Sequence, residues 1–588
     1  MFLPTTKEEM QDLGWEYLDI ILVSGDTYID SSYNGTAVIG KWLLKHNYKV
    51  GIIAQPNIED INDITRLGEP RLYWGVSAGC VDSMVANYTA LKKRRHQDDF
   101  TPGGINNRRP DRAVISYTNL IKKAFKNSNV PVVIAGIEAS LRRVVHYDYW
   151  SNSLRRSILF DSKADILSYG MGEKSMLELA TAFSNSFELK KLIELQPYFN
   201  TKKNAGLIKK ANWKEIEGIG YISKNKNENY IDLPTFEECQ NSKKTLIEAF
   251  NIFYSNCDSI TATGLNQGHG DRYYIQNPPS SPLLEDEMDA IYGMEFERDV
   301  HPFYKQHGSV KALETIKNSI TTHRGCYGEC NFCAIAIHQG RTVTSRTESS
   351  ILLEANFIAQ KKGFDGYIRD VGGPTANMYG IECNKKLTKG SCSEKRCLFP
   401  TSCPSLKINH HGQIELLKKM REIQGIKKIF IASGIRYDLI LDDKKYGEQY
   451  LEELIKHHVS GQMKIAPEHT ENKILNLMGK KGKNYLIDFK NKFYEINKKL
   501  DKKQFLTYYL IAGHPNCNEK DMKDLKKFAS KELKLNPEQV QIFTPTSSTY
   551  STLMYYTELN PFDFEPIFVE KDNSKKQKQK EIIIEKNK

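Results

Sequence analysis

Residues 324–341 read RGCYGECNFCAIAIHQGR and place Cys326, Cys330 and Cys333 within eight residues, the tightest concentration of reactive sulfur in the chain. Thiols this close in a large chain are metal or cluster ligands before they are anything else, and their number decides which. Structural zinc prefers four ligands in paired knuckles, and a cubane iron-sulfur cluster ordinarily takes four cysteines. The CxxxCxxC spacing supplies three, so a [4Fe-4S] cluster bound here keeps one iron open. An open iron can chelate a substrate that brings its own nitrogen and oxygen donors, which makes the cluster Lewis-acidic and redox-active. The rival reading is a loop of free thiols or an adventitious zinc knuckle. It does not account for two features that coincide: the spacing and a position directly after a strand candidate.

A second group follows in IECNKKLTKGSCSEKRCLFPTSCPSL, where Cys383, Cys392, Cys397 and Cys403 lie among basic and small residues. Four thiolates complete a tetrahedral zinc site or a closed auxiliary iron-sulfur cluster. The intervening spacings of eight, four and five residues match no standard knuckle, so free thiols or redox-variable disulfides stay open as alternatives. A loop with so little apolar content gains from a cross-link of some kind. The remaining cysteines, Cys80, Cys239, Cys257 and Cys517, are scattered and read as buried structural thiols.

The elements that must position these groups follow from periodicity. From about residue 301 to 565, six strand candidates alternate with helical stretches: 315–325, 366–373, 427–435, 461–469, 505–514 and 539–546. Six βα units in a row predict an incomplete parallel barrel, with chemistry at the C-terminal ends of its strands. The first cysteine group starts at such an end, and the second lies in an insertion, 380–410, between the second and third strands. Glu468 and His469 in APEHT and His514 in AGHPN end later strands and are candidate acid, base or substrate contacts. Each histidine alone is more often a satisfied structural residue.

Ahead of the barrel, residues 1–200 alternate short apolar runs (17–25, 48–56, 129–139 and 163–174) with helical patterns. This predicts an α/β domain with a doubly wound parallel sheet of the flavodoxin or cobalamin-domain kind. A polar, lysine-rich break over 198–235 and a proline-punctuated stretch at 276–293 mark 201–300 as a connecting region, with a boundary near 300. Residues 566–588 form a lysine-rich tail, expected to be disordered.

At 588 residues the chain is long enough for two or three domains. Its formal charge of +11 owes +4 to the last eighteen residues, and the rest mixes both signs as a solvated surface does, so nucleic acid is not indicated as a partner. No apolar run approaches the ~20 residues of a membrane span, and the N-terminus lacks a basic region followed by an apolar core, so a cytoplasmic location is expected.

The cluster motif with its aromatic Phe332 resembles the signature of the radical S-adenosylmethionine (SAM) superfamily. Beyond it, RGCYGECNFCAIAIHQGRTVTSRTESSI, YIRDVGGPTANMYG, IAPEHT and YYLIAGHPNC look like the YgiQ family of radical SAM proteins. So do LDIILVSGDTYID and NPPSSPLLEDEMD nearer the N-terminus, and the likeness covers nearly the whole chain. The resemblance implies that the methionyl amino and carboxylate groups of SAM occupy the open iron and that Phe332 packs near adenine. It also implies reductive cleavage of SAM to a 5′-deoxyadenosyl radical, fed by a reductant protein of flavodoxin or ferredoxin type. The family has no assigned reaction, so the resemblance fixes a cofactor and no substrate.

By the same resemblance, the glycine pair Gly372 and Gly373 in DVGGPTANM receives the methionyl amino group through backbone carbonyls. Ser433, Gly434 and Arg436 in IASGIRYD contact ribose or carboxylate. Departing from the family pattern, the expected C-terminal extension is represented only by the lysine-rich tail.

Three other functions compete. Several radical SAM enzymes bind cobalamin in a doubly wound domain through a DxHxxG turn, but the corresponding SGDTYIDSSYNG has no histidine, which makes a corrinoid the lesser expectation. An RNA-modifying enzyme of the methylthiotransferase kind is favoured only by APEHTENKILNLMGKK, without a dedicated RNA-binding domain. A non-enzymatic iron-sulfur redox or metal-binding protein would hold a cluster without SAM turnover.

Overall fold

The computed structural model describes residues 1–195, 212–534 and 540–584, without the side chains of 189–195. Contacts divide the chain into two compact units. One comprises Met1–Tyr88, Arg94–Ser281 and Met294–Leu313, and the other Thr89–Lys93, Pro282–Gly293 and Glu314–Lys588. The boundary expected near 300 is therefore crossed more than once. The proline-rich stretch carries a helix, Glu285–Tyr292, into the second unit before the chain returns to the first.

The first unit is built on nine strands: β1 (Ile20–Ser24), β2 (Val50–Ala54), β3 (Tyr73–Ser77), β4 (Val132–Ala135), β5 (Ile166–Ser168), β6 (Ile219–Ser223), β7 (Ile231–Leu233), β8 (Leu265–His269) and β9 (Arg272–Gln276). β2, β1, β3, β4 and β5 lie side by side and parallel, the 2-1-3-4-5 order of a doubly wound α/β sheet. Every residue of β1 and β2 is buried, which is why both read as unbroken apolar runs. Beyond β5 the sheet continues antiparallel through β6, β9 and β8, with β7 at the edge. Residues from 219 to 276 thus extend the N-terminal sheet, whereas the sequence predicts a connecting region there. β8 reads LNQGH, and its buried Asn266, Gln267 and His269 give no apolar alternation to find. Part of that region, 196–211, lies outside the described residues.

The second unit contains β10 (Ser319–Thr321), β11 (His323–Arg324), β12 (Tyr367–Ile368), β13 (Asp370–Gly372), β14 (Lys428–Ile429), β15 (Gln462–Glu468), β16 (Phe505–Ala512) and β17 (Val540–Ile542). β10 pairs with β13, β12 with β14, and β15, β16 and β17 form a ribbon, all parallel. A parallel bridge from Ile435 to Ile465 joins the third βα unit to the fourth. The six strand candidates form this partial (β/α)6 barrel. Between them run α1 (Glu348–Gln360), α2 (His411–Arg421), α3 (Asn472–Met478), α4 (Lys483–Lys499) and α5 (Glu519–Phe528). α1 shows how the pattern works: Ile351, Ala355 and Ile358 are buried on one face while Leu353 and Phe357 are exposed. Ile320, Ile368, Ile429, Ile465 and Leu506 from successive strands share one core with α1, α2 and α4.

The tail departs from expectation. Asn573–Ile584 is a helix, α6, packed on α5 and β17. Its lysine-rich composition hides a face formed by Lys576, Gln579 and Ile583, all buried. Gln579 Oε1 accepts the Gly513 N–H at 2.9 Å, and its Nε2 donates to the Cys517 carbonyl at 3.2 Å. Lys576 Nζ donates to the Tyr555 hydroxyl at 2.8 Å, and burial brings its pKa down to about 8. A Gln579→Leu substitution keeps the volume and strands both backbone groups, so unfolding of the second unit should become easier by about 1–3 kcal/mol. Urea denaturation reads this directly; a change below ~0.5 kcal/mol, the level of a neutral surface substitution, would show that α6 is not integral to the unit.

Candidate functional site

The chain leaves β11 at Arg324 and turns at once at Gly325, where φ is +79° and a Cβ would fall 2.0 Å from the Thr342 carbonyl oxygen. Only glycine permits this turn, which starts the cysteine loop. The loop is then pinned. Asn331 donates its N–H to the Met478 carbonyl at 2.9 Å and its Nδ2 to the Leu477 carbonyl at 2.8 Å. These carbonyls belong to the last turn of α3, where a helix has no intrahelical donors left, so the loop and the helix end satisfy each other. The Gly328 N–H points at Cys326 Sγ from 3.3 Å, and the Thr375 hydroxyl lies 3.5 Å from the same sulfur.

Cys326, Cys330 and Cys333 line one cavity of about 170 Å³, together with Phe332, Ile335, Ala336, Pro374 and Thr375. Burial pushes the Cys326 thiol up and the Cys333 thiol to about 12, so as free groups both are protonated at neutral pH. A soft metal centre would displace those protons. Among the described residues, no set of three or more Cys, His, Asp or Glu side chains is already drawn onto one metal-binding point, this triad included. The donor set nevertheless fits a cluster: three thiols facing one buried space, a glycine turn that a side chain would fill, and a cation close by.

That cation is Arg436. Its Nη1 stands 3.5 Å from Cys330 Sγ, while Nε and Nη2 make a fork to Asp438 at 3.0 and 2.5 Å. Burial opposes the guanidinium charge, but Asp438 more than compensates and raises its pKa; in return Arg436 holds the buried Asp438 carboxyl below its ordinary range. Asn377 clamps the Arg436 backbone, accepting its N–H at 2.8 Å and donating to its carbonyl at 3.0 Å. Glu468 lines the same cavity from the C-terminal end of β15, in the left-handed region at φ +68° and after a register shift in the strand. A non-glycine residue held there is strained, a feature that gathers at functional sites. Burial raises its carboxyl, and Lys480, 3.5 Å away, counters that.

The other residues expected from sequence are placed variously. Phe332 and Gly434 line the cavity. The Gly372 carbonyl accepts the Thr322 N–H at 2.7 Å, and a Cβ at Gly373 would meet His323 Nε2 and its carbonyl at 2.6 Å. The glycine pair thus lets two strand ends close up, and the cavity wall beyond it is Pro374 and Thr375. Ser433 is turned to Asp370, to which both its hydroxyl and its N–H donate. The guanidinium fork of Arg436, read as free to hold a ligand carboxylate, is taken by Asp438. His469 Nδ1 accepts the Glu471 N–H at 3.0 Å, and His514 Nε2 lies 2.7 Å from the Ser551 hydroxyl; both are buried away from the cavity as satisfied core histidines. Missed entirely were Asp438, two residues after Arg436 in IRYD, and Lys480 in MGKK, whose place follows the left-handed Gly479 that ends α3.

In the first unit, the ligand crevice of a 2-1-3-4-5 sheet lies between the C-terminal ends of β1 and β3. The chain fills it. A Cβ at Gly25 would lie 2.2 Å from the Ala78 carbonyl oxygen, and one at Gly79 would overlap the Asp26 carboxylate. Behind them Arg109, fully buried, pairs with Asp26 at 2.7 Å and Asp98 at 3.1 Å and donates to the Ala78 carbonyl. Arg109, Asp26 and Asp98 are thus engaged with one another at that crevice, and the turn after β1 offers no histidine as a cobalt ligand.

A family model described as Radical SAM N-terminal matches residues 2–319. A UPF0313 protein of Fusobacterium nucleatum subsp. nucleatum is 63% identical over 587 residues, spanning 100% of this chain and 99% of the relative. Another UPF0313 protein, from Thermotoga petrophila, is 46% identical over 588 residues, with 100% and 99% covered. Among solved structures, the cobalamin-dependent S-adenosylmethionine radical enzyme OxsB with aqua-cobalamin bound aligns at a TM-score of 0.49 and 12% identity, covering 94% of this chain and 57% of that one.

Proposed function

The chain belongs to the Radical SAM N-terminal family and is a radical SAM enzyme, and from that premise we propose that Cys326, Cys330 and Cys333 hold its [4Fe-4S] cluster, with SAM on the fourth iron. The observation that carries this reading is that the three thiols, Phe332 and the Arg436–Asp438 pair all open onto one cavity. The YgiQ-like motifs around it support the same assignment.

When bound and reduced, the cluster supplies one electron to the sulfonium of SAM, which splits into methionine and a 5′-deoxyadenosyl radical. The protein's part is to hold, orient and exclude. Phe332 offers an aromatic face to the adenine. Glu468 presents a carboxyl group to amino or hydroxyl donors, with Lys480 3.5 Å away opposing the effect of burial on its charge. Thr375 and the Gly328 N–H direct donors at Cys326. Ile335, Ala336, Ile435 and Tyr437 line the remaining wall with apolar surface, which keeps water from a radical that would otherwise be quenched. The electron itself calls for an external one-electron donor of flavodoxin or ferredoxin type. No step is routed through cobalamin, since the turn after β1 carries no histidine to ligate it.

The test is anaerobic: reconstitute with iron and sulfide, add dithionite and SAM, and quantify products. The expected result is 5′-deoxyadenosine and methionine in equal amounts. S-adenosylhomocysteine in their place would move the reaction to methyl transfer, and the absence of every SAM-derived product would overturn the enzyme reading of this cavity.

A further inference from the structure

The cysteine-rich insertion closes on itself at its neck, where the Lys407 N–H donates to the Glu382 carbonyl at 2.9 Å. Within it the only regular element among the described residues is one short helix, Asn384–Lys389. What core it has is a small cluster of Tyr327, Val343, Met378, Ile381, Leu398 and Leu406, and this cluster contains Cys383 and is flanked by Cys397 and Cys403. So small an apolar core does not usually hold a polar loop in one conformation. Cys392 is not part of that cluster.

Two of the clustered cysteines are joined through the backbone. The Cys403 N–H donates to the Cys397 carbonyl at 2.8 Å. Burial raises the Cys397 thiol to about 11, Lys386 opposes that, and Glu329, Cys383 and Cys403, all within electrostatic reach, add to it. Lys386 is buried, with its Nζ 3.7 Å from Cys397 Sγ, 3.6 Å from Glu329 Oε1 and donating to the Arg341 carbonyl. The ammonium thus stands beside the Cys397 sulfur, where it would offset the negative charge of a metal-bound thiolate. Glu329 is its carboxylate partner, and the Cys397 sulfur is the further group it faces.

We propose that Cys383, Cys397 and Cys403 form a second thiolate site for a thiophilic metal, zinc or iron-sulfur, with Lys386 as its counter-charge and Cys392 outside the ligand set. This goes beyond the first site, since nothing in SAM cleavage calls for it. Each thiol loses its proton to solvent as zinc or a preformed cluster binds, and neither event changes an oxidation state. The site is joined to the cluster loop through Tyr327, the residue after Cys326, which is fully buried in the same small core. Three thiolates with an open position suit an auxiliary cluster; tetrahedral zinc would add a solvent ligand.

The experiment counts metal rather than activity. Full-length C326A/C330A/C333A, which removes the first site, is purified and also reconstituted anaerobically with iron and sulfide, and zinc, iron and sulfide are measured. It is expected to keep about one zinc or one cluster per chain. Adding C397S is expected to abolish that metal, whereas adding C392A retains it. Mass-spectrometric mapping of alkylation in the wild-type protein gives a readout that does not depend on variants folding. Cys383, Cys397 and Cys403 should be protected until a chelator is added, with Cys392 labelled throughout. Retention of neither metal in C326A/C330A/C333A, or loss caused equally by C392A and C397S, would overturn the assignment. Because SAM cleavage is scored separately, failure here is distinguishable from failure of the first site.

Discussion

Alanine in place of Cys326, Cys330 or Cys333 is expected to reduce 5′-deoxyadenosine formation to background, and replacing all three should remove the iron and sulfide of that site. The argument is one of ligand count. The motif already leaves one iron without a protein ligand, and a second open iron exposes the cluster to loss and destroys the single position at which SAM can chelate. Losing even an outer-shell partner of a metal ligand typically weakens metal binding or activity ~10–100-fold, and a direct ligand weighs more. Cys239, buried in the first unit, serves as the control: C239A should keep the iron content of wild type. Loading also has a pH direction. Because burial raises Cys326 and holds Cys333 at about 12, protons must leave as iron arrives, so reconstitution should proceed faster as pH rises. Full iron and sulfide at this site in C326A/C330A/C333A would show that these thiols do not hold the cluster.

How much of this was legible depended on whether a residue's role is local. The strand ends and the CxxxCxxC loop were legible because both are short-range patterns: a β-branched run, Ile320-Thr321-Thr322, ended by glycine at 325 reads the same in one dimension as in three. The sheet extension through β6, β7, β8 and β9 was not, because β8 owes its burial to neighbours on either side rather than to apolar residues of its own. The helix α6 was hidden in the same way, since Lys576 and Gln579 are polar residues whose partners, Tyr555, Gly513 and Cys517, are remote in sequence. At the site, Arg436 was found by its position at a strand end, but its occupation by Asp438 was not. A fork that looks free in a motif can be satisfied two residues later once the chain turns into a helix at Tyr437. Glu468 shows the converse. It stood in the sequence as an equal of His469, and only the register shift in β15 decides that the carboxylate faces the cavity while the imidazole is buried elsewhere.

Substituting Arg436 by leucine is expected to separate two quantities that the wild-type protein couples, stability and cluster potential. The Asp438 carboxylate, nearly inaccessible to solvent, would lose its partner, and an unpaired buried charge of this kind typically destabilises by about 3–5 kcal/mol. In the wild type the pair contributes fully above the ordinary aspartate value of 3.8, because the folded-state pKa is lowered, and its contribution fades as pH falls through that lowered value. Cys330 would at the same time lose the cation and donor 3.5 Å from its sulfur, and fewer hydrogen bonds to cluster sulfurs make reduction harder, here by something on the order of tens of mV. The double variant R436L/D438L discriminates between the effects. Replacing both partners with apolar side chains removes the uncompensated charge and should restore most of the stability, while the shift in potential persists because the donor to Cys330 is still absent. Chemical denaturation and a dye-mediated redox titration of the reconstituted protein read the two quantities independently. If the double variant recovered the wild-type potential along with its stability, Arg436 would be only a structural partner of Asp438; if R436L alone left the potential unchanged, its approach to Cys330 would have no electronic consequence.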